Sequence, residues 1–260
     1  MTFLDEILIL KRARIEAARA ARDPDELRSA AVAVREGAMR NRLSAAIARD
    51  GVNVIAEIKR ASPSKGVINA AIDVVGIARA YEAGGAAALS VLTEEDRFLG
   101  SLDDLKAAIG AVGLPILRKD FVYDEFQVFE SAVAGADAIL LIVAMLDDAK
   151  LKALYDLADR ELGLDALVEV HTLEELERAA EIAPRLIGVN NRDLKSFKVS
   201  LDVSREIVKH RPNDSLMIAE SGLSARSEIE ELLTLGFSGF LIGESLMRSA
   251  DASTMLRSWR

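Results

Sequence analysis

The chain has 260 residues, half of them hydrophobic, and a formal net charge of −9 at pH 7. This length permits one large domain, and the acidic charge argues against a nucleic-acid-binding protein, which normally presents a basic face. The absence of cysteine excludes disulfides, thiolate metal sites and cysteine nucleophiles. No apolar run is long enough to span a bilayer, and residues 1–20 are too basic for a signal sequence, so we predict a cytoplasmic protein.

Residues 1–47 are predicted to form an N-terminal helical extension. Apolar residues recur near helical spacing between Phe3 and Ile15, and Pro24 breaks the run. The pattern predicts two helices, which should cap or flank the main fold.

After the extension, short β-rich runs alternate with helical patterns. Eight strands are predicted at 52–58, 87–92, 115–119, 138–143, 166–170, 186–190, 216–220 and 239–242. A helix should follow each strand, starting near Ile72, Leu102, Glu125, Asp147, Leu173, Leu201, Ala225 and Ser245. Eight such units favour a (β/α)8 TIM barrel over a doubly wound open sheet, and no strand leads into a Gly-x-Gly-x-x-Gly turn. We therefore predict a single barrel domain over residues 1–260.

Polar residues stand at the ends of almost all predicted strands, where a barrel builds its active site. In the first strand, Glu57 and Lys59 are two residues apart and so point to the same side, ahead of a small-residue loop at 62–66. Further strand-end groups are Thr93, Glu94, Arg118, Lys119, Asp120, Glu169, Asn190, Arg192, Glu220, Ser221, Glu244 and Ser245. Each alone could be a solvated loop residue, but closure of the barrel would bring them together.

Lys119 and Glu169 are the strongest candidates for acid–base chemistry. Alternation puts Lys119 on the opposite face from Arg118, and a lysine above a barrel mouth can serve as general acid, anion anchor or Schiff-base former. Glu169 lies in an otherwise apolar strand, so burial should raise the pKa of its carboxyl unless a cation offsets this effect. An ion pair is the structural alternative for both residues. We interpret His171 and His210 as structural or surface residues, outside any metal-ligand spacing.

Two late segments are typical of a phosphate site. Gly222 follows the seventh strand, and Gly243 and Glu244 join the eighth strand to a helix, where backbone N–H groups can approach an anion. Turn geometry alone would explain either glycine. Phe98 and Phe121, beyond the second and third strands, could wall an aromatic pocket or pack in the core.

Seven motifs resemble, in order, the motif series of the indole-3-glycerol phosphate synthase family. They occupy 55–66, 89–94, 117–121, 167–170, 188–194, 219–222 and 241–247. The resemblance implies tryptophan biosynthesis, in which 1-(2-carboxyphenylamino)-1-deoxyribulose 5-phosphate closes to indole-3-glycerol phosphate with loss of CO₂ and water. It implies no cofactor and no metal. Residues before Val52 keep only the general character of the family.

The resemblance also implies roles for individual residues. Lys119 matches the catalytic acid, Glu169 matches the base, and Lys59 matches a lysine that holds the substrate carboxylate and can assist as an acid. The division of the protonation steps between the two lysines stays open. The family's other polar positions around the reacting centre match Glu57, Asn190 and Glu220 of this sequence. Matches to substrate-binding positions are Ser62, Pro63, Ser64, Phe98, Phe121, Arg192 and Ser221, and those to phosphate-binding positions are Ser62, Gly222, Gly243 and Glu244.

Two other functions fit parts of the pattern. A phosphoribosylanthranilate isomerase, also a phosphate-binding barrel, would need an acid–base pair but not the Glu57 and Lys59 arrangement. A catalytically silent, partner-binding barrel predicts losses among the strand-end charges, and these charges are present. We expect a phosphorylated small-molecule substrate, no nucleic-acid or membrane partner, and a monomer with at most weak association with other tryptophan-pathway enzymes.

Overall fold

Eight parallel strands close into a barrel in the computed structural model, which describes residues 2–259. Numbered β1–β8, the strands are Val54–Ile58, Ala88–Leu92, Ile116–Lys119, Ala138–Ile142, Asp165–Val170, Leu186–Asn190, Leu216–Glu220 and Gly239–Ile242. Each strand pairs with the next in the chain, and β1 pairs with β8 to complete the circle. The predicted barrel is confirmed and the open sheet is excluded. Every predicted strand end lies within two residues of the observed one.

The helices follow the strands as predicted. Numbered α1–α12, the α-helices are Phe3–Ala21, Pro24–Glu36, Arg42–Ile47, Val74–Gly84, Leu102–Ala111, Glu125–Ala134, Asp148–Tyr155, Leu173–Ala180, Asp202–Ile207, Arg226–Leu235, Glu244–Arg248 and Ala252–Trp259. A π-helical turn, Asp156–Glu161, extends α7, and a short antiparallel hairpin of Ala61–Ser62 with Gly66–Val67 follows β1. No helix within residues 2–259 is long and apolar enough to cross a membrane.

The N-terminal extension contains three helices, so the prediction of two was incomplete. The helix α3 has six residues, which is too short to show helical periodicity, and it starts after Asn41 in the left-handed region with φ 56°. Its Ile47 is fully buried, and the backbone N–H of Ser44 donates to Asp165 at the start of β5 over 2.9 Å. The third helix therefore packs against the N-terminal end of the barrel.

The helix α1 lies across the opposite, C-terminal end of the barrel. Its Lys11 is 3% exposed, and its Nζ lies 2.7 Å from Oδ1 of Asp120, the residue after β3. The Phe3 ring meets the Phe121 ring edge-on, with 6.0 Å between the centroids. The predicted single domain extends to Met1 and Arg260, which lie outside the described residues.

Inside the barrel, an apolar layer supports the charged residues of the mouth. Side chains that are at most 5% exposed fill this layer, among them Ile55, Leu117, Leu140, Leu167, Ile218 and Leu241. Because side chains in a strand alternate between its two faces, the residue two positions further on points to the same interior. Those residues, nearer the C-terminal end, include Glu57, Lys119, Glu169 and Glu220. The strand period thus gathers four ionisable groups directly above an apolar floor.

Candidate active site

Lys119 stands at the centre of the charged layer. Its Nζ lies 3.0 Å from Oε2 of Glu169 and in direct contact with Oε2 of Glu220. Both carboxylates are 2% exposed, and they reach the lysine through the barrel interior from β5 and β7. One ammonium group therefore compensates two buried carboxyl groups.

Asn190, the last residue of β6, fixes the second oxygen of Glu169. Its Nδ2 donates to Oε1 of Glu169 over 3.2 Å, while its Oδ1 accepts the backbone N–H of Arg192 over 3.0 Å. The contact with Arg192 determines which end of the amide faces the carboxylate. Glu169 thus receives Asn190 on Oε1 and Lys119 on Oε2.

The three coupled groups have shifted pKa values. Burial alone would raise the pKa of the Glu169 carboxyl, but the Lys119 ammonium outweighs burial and holds this pKa below its usual range. Burial also opposes the charged form of Lys119, and its two carboxylate partners outweigh burial and raise the pKa of the ammonium. For Glu220, burial raises the pKa and Glu169 adds to this effect against Lys119. Lys119 is therefore protonated and Glu169 ionised near neutral pH. The rise in pKa that burial alone led us to expect for Glu169 is offset by the cation beside it.

Two glycines leave room for carboxylates. A Cβ atom added to Gly188 on β6 would overlap Oε1 of Glu220, and one added to Gly243 after β8 would overlap Oε1 of Glu57. Any side chain at these positions would push the carboxylate out of its place. Gly243 was predicted from its phosphate-loop motif, and the structure gives it this further steric role.

The second charged pair faces the same space from β1. Lys59 Nζ contacts Oε1 of Glu57 directly, and the two side chains are 15% and 7% exposed. The loop that follows lies beside the mouth, where Nη1 of Arg192 donates to the hydroxyl of Ser64 over 3.2 Å. The β1 and β6 loops are thereby connected above the barrel.

All of the predicted site residues line one cavity at the C-terminal end of the barrel. They are Glu57, Lys59, Ser62, Pro63, Ser64, Phe98, Lys119, Phe121, Glu169, Asn190, Arg192, Glu220, Ser221, Gly222, Gly243 and Glu244. The rings of Phe98 and Phe121 are 6.1 Å apart between centroids and form an aromatic wall beside the charged layer. The cavity therefore combines a flat apolar wall with acids, bases and a glycine-rich rim.

Comparison with known proteins places the chain in a family. The family model for indole-3-glycerol phosphate synthase matches residues 4–259. The chain belongs to the indole-3-glycerol phosphate synthase family. Members of this family are carboxy-lyases of tryptophan biosynthesis.

Similar proteins include two indole-3-glycerol phosphate synthases. The one from Syntrophobacter fumaroxidans is 42% identical over 98% of this chain and 96% of its own length. The one from Desulfosudis oleivorans is 50% identical over 81% of this chain and 80% of its own length. Among solved structures, 3-hexulose-6-phosphate synthase from Salmonella typhimurium has a TM-score of 0.64 at 13% identity, covering 80% of this chain and 96% of that chain. At this identity, the match shows the fold alone.

Three of the polar strand-end residues do not face the cavity of this synthase-family barrel. Arg118 is buried on the outer face of β3, where it donates to the hydroxyls of Thr93 and Ser131 over 3.1 Å each. Glu94 accepts three backbone N–H groups of its own loop, including that of Phe98 over 2.9 Å. The outward position of Arg118 agrees with the strand alternation, which puts it on the face opposite Lys119. Our expectation that the strand-end polar groups converge was wrong for Thr93 and Glu94, because their partners lie outside the cavity.

An acidic group beside the cavity is compensated by protein donors. Glu94, Glu95 and Asp96 can place one oxygen each within 4.8 Å of one another. Glu94 is held by backbone N–H groups, Glu95 pairs with Lys11 over 2.9 Å, and Asp96 pairs with Arg14 over 2.7 Å. Through these contacts, the three acidic residues stabilise the loop after β2.

The sequence interpretation missed three residues at or near the site. Phe3 of α1 and Phe197 of the loop after β6 line the cavity, with 5.4 Å between their ring centroids. His171 lies behind Glu169, with its Nε2 3.4 Å from Oε1. The sequence carries no signal for the pairing of Phe3 with Phe197, which are far apart in the chain. The position of His171, two residues after Glu169, could have suggested the same side of the strand.

Proposed function

We propose that this barrel closes the indole ring of 1-(2-carboxyphenylamino)-1-deoxyribulose 5-phosphate and releases CO₂, water and indole-3-glycerol phosphate. The observation that carries the proposal is the cavity in which Lys119, Glu169, Glu220 and Asn190 meet across from Glu57 and Lys59. The intact charged layer supports a working enzyme over a silent barrel, and the match to the synthase family disfavours the isomerase.

Ring closure requires a proton on the ketone oxygen as the aromatic carbon attacks the carbonyl carbon. We assign this proton to Lys119, whose raised pKa keeps it charged until the developing alkoxide takes the proton. The new carbon–carbon bond is followed by loss of the neighbouring carboxylate as CO₂, and its bonding electrons return to the ring.

Dehydration then restores the aromatic indole. Glu169 is ionised and removes the proton of the anilinic nitrogen, while an ammonium protonates the departing hydroxide to give water. The imine formed in this way then loses a proton from its ring CH₂ group, and its nitrogen takes up a proton, which gives the indole. Lys59 is suitably placed for the protonation of the hydroxide as well as for holding the substrate carboxylate, next to Glu57. Because the carboxylate leaves as neutral CO₂, each turnover takes up one proton from solvent.

The two ends of the substrate differ in chemistry, and so do the walls of the cavity. We place the anilinic ring against Phe98 and Phe121, with Pro63 and Ser64 of the β1 loop above it and Arg192 near its carboxylate. The phosphate is placed at the rim formed by Ser62, Ser221, Gly222, Gly243 and Glu244. There, the backbone N–H groups that begin α11 have no partner within the helix and can bind phosphate oxygens.

The direct test is to incubate the purified chain with the carboxyphenylamino substrate, without added cofactor or metal. We expect indole fluorescence and one CO₂ per product, because the proton transfers of ring closure and dehydration are assigned to side chains. Phosphoribosylanthranilate, offered separately, should give no product. Absence of indole product from the first substrate would refute the proposed function, and conversion of the second would instead support an isomerase.

A monomeric state, a cytoplasmic location and weak association with other enzymes of the pathway stay predictions. Sedimentation of the chain at micromolar concentration checks the first of them. The catalytic proposal does not depend on their outcome, since its proton transfers in ring closure and dehydration are assigned to residues of this chain.

A further inference from the structure

His171 joins the candidate base to a residue on the outside of the barrel. It follows directly after β5, its Nε2 lies 3.4 Å from Oε1 of Glu169, and its Nδ1 lies 3.1 Å from Oε2 of Glu175 on α8. The same Glu175 oxygen accepts the backbone N–H of His171 over 2.7 Å. The imidazole does not line the cavity, and its side chain is 11% exposed. A nearly buried ring is therefore held between two carboxylates.

The two contacts determine the protonation of the ring. Nδ1 faces a carboxylate oxygen of Glu175 and must carry a proton, because a lone pair there would repel the oxygen. Nε2 makes no hydrogen bond in the structure but lies within ion-pair distance of Oε1 of Glu169, so a proton on Nε2 places positive charge beside this carboxylate. Lys119 on Oε2 keeps the carboxylate ionised, which leaves the proton on the histidine. Burial lowers the pKa of His171, but the contacts with Glu169 and Glu175 outweigh burial and raise this pKa to about 10.

We propose that His171 is a positioning residue for Glu169, a role that rests on the proposed function. Held by Glu175, the imidazolium fixes Oε1 of Glu169 together with Asn190, so that Oε2 stays directed towards Lys119 and the substrate. It also adds a second cation beside the base. The ring touches neither the cavity nor the substrate position, so it acts through Glu169 alone.

Other charged groups bear on this pair. Glu169 faces Lys119 on β3, Asn190 on β6 and Glu220 on β7. His171 faces Glu175 from α8, and Glu57 acts on Lys119 from β1. Without His171, Lys119 would be the one cation in direct contact with the two carboxylates in the described part of the chain. Oε1 of Glu169 would then be held by the amide of Asn190 without a cation beside it.

Two measurements test the proposal, and the first is spectroscopic. The sequence contains only two histidines, and His210 is largely exposed, with a side-chain exposure of 56%. In ¹⁵N-labelled protein, H210N removes the signals of one imidazole and thereby assigns the remaining signals to His171. His171 should stay doubly protonated at pH 8, and E175Q should lower its pKa by removing one carboxylate. If His171 is neutral at pH 7, the proposal is overturned.

The second measurement is kinetic and starts from active wild-type protein, so failure of the proposed function would be seen first. H171Q removes the cation, and H171K keeps a cation on a side chain of similar length. We expect H171Q to lower kcat about 10–100-fold, the scale of the coupling between two contacting residues of one charged network, with KM changed little. H171K should recover most of this loss, and H210Q should behave as wild type. Equal losses of kcat in H171Q and H171K would contradict the proposal, and so would an unchanged kcat in H171Q. If H171Q does not fold, the spectroscopic titration of wild-type protein decides.

Discussion

Replacing Lys119 with methionine removes the ammonium group and keeps a flexible side chain of similar length. The ammonium lies 3.0 Å from Glu169 and in direct contact with Glu220, and both carboxyl groups are nearly fully buried. K119M therefore removes the assigned acid and, at the same time, the main cation that keeps the base ionised. The predicted loss of turnover combines both effects.

The charge effect can be sized from the structure. Two unit charges at 3.0 Å attract by about 5.5 kcal/mol at an effective dielectric constant of about 20. Loss of this attraction raises the pKa of Glu169, in the same direction as burial. His171 and Asn190 remain at Oε1 and reduce the rise. Loss of the general acid adds a factor of about 10²–10⁴ in kcat.

The assay is indole fluorescence at saturating substrate, followed from pH 6 to pH 9. K119R keeps the positive charge, but a guanidinium stays protonated in this range and cannot act as the acid. We therefore expect both variants to lose turnover by about 10²–10⁴, and only K119M to regain activity as the pH rises and Glu169 ionises. The control is K106M, because Lys106 is exposed on α5, where it pairs with its neighbour Asp103.

Turnover of K119M within tenfold of wild type would refute the role of Lys119 as the acid. Near-normal turnover of K119R, together with a large loss of turnover in K119M, would mean that Lys119 has a purely electrostatic role. The two variants thus separate proton donation from charge compensation.

Two further predictions concern the base and the support of the site. E169Q keeps the shape of the side chain but removes the base, so turnover should fall about 10²–10⁴-fold. The hydroxylated intermediate that precedes dehydration should then accumulate and be detected by mass spectrometry in a single turnover. An unchanged rate would place the base elsewhere. K11M leaves the buried Asp120 without its 2.7 Å partner, and we expect a stability loss of about 3 kcal/mol from urea unfolding. R19M, which breaks an exposed ion pair, should cost at most about 1 kcal/mol, and equal losses would contradict the role of burial.

The barrel and the inward positions of its charges could be predicted from the sequence because both depend on local periodicity. Strands and helices alternate along the chain, and the two-residue period of a strand places Lys119 above Leu117 and Glu169 above Leu167. Closure then brings residues from separate strands to one end of the barrel. No knowledge of a particular contact is needed for these steps.

The partners of the polar groups could not be predicted in the same way. Arg118 and Thr93 stand at strand ends like the cavity residues, yet they bond to each other outside the barrel. His171 contacts Glu175 because Glu175 lies in the first turn of α8, and this turn packs next to the end of β5. Such pairings depend on tertiary distances between side chains, which composition and spacing do not contain.

The charge balance of the site connects these observations. Three carboxyl groups, Glu57, Glu169 and Glu220, are matched by Lys59, Lys119 and the His171 imidazolium. Because the pKa of Glu220 is raised, the six groups together are neutral or positive at neutral pH. A substrate that carries a carboxylate and a phosphate can enter such a site without net repulsion, despite the charge of −9 on the whole chain. His171 therefore contributes to the balance that lets an acidic protein accept a substrate with two anionic groups.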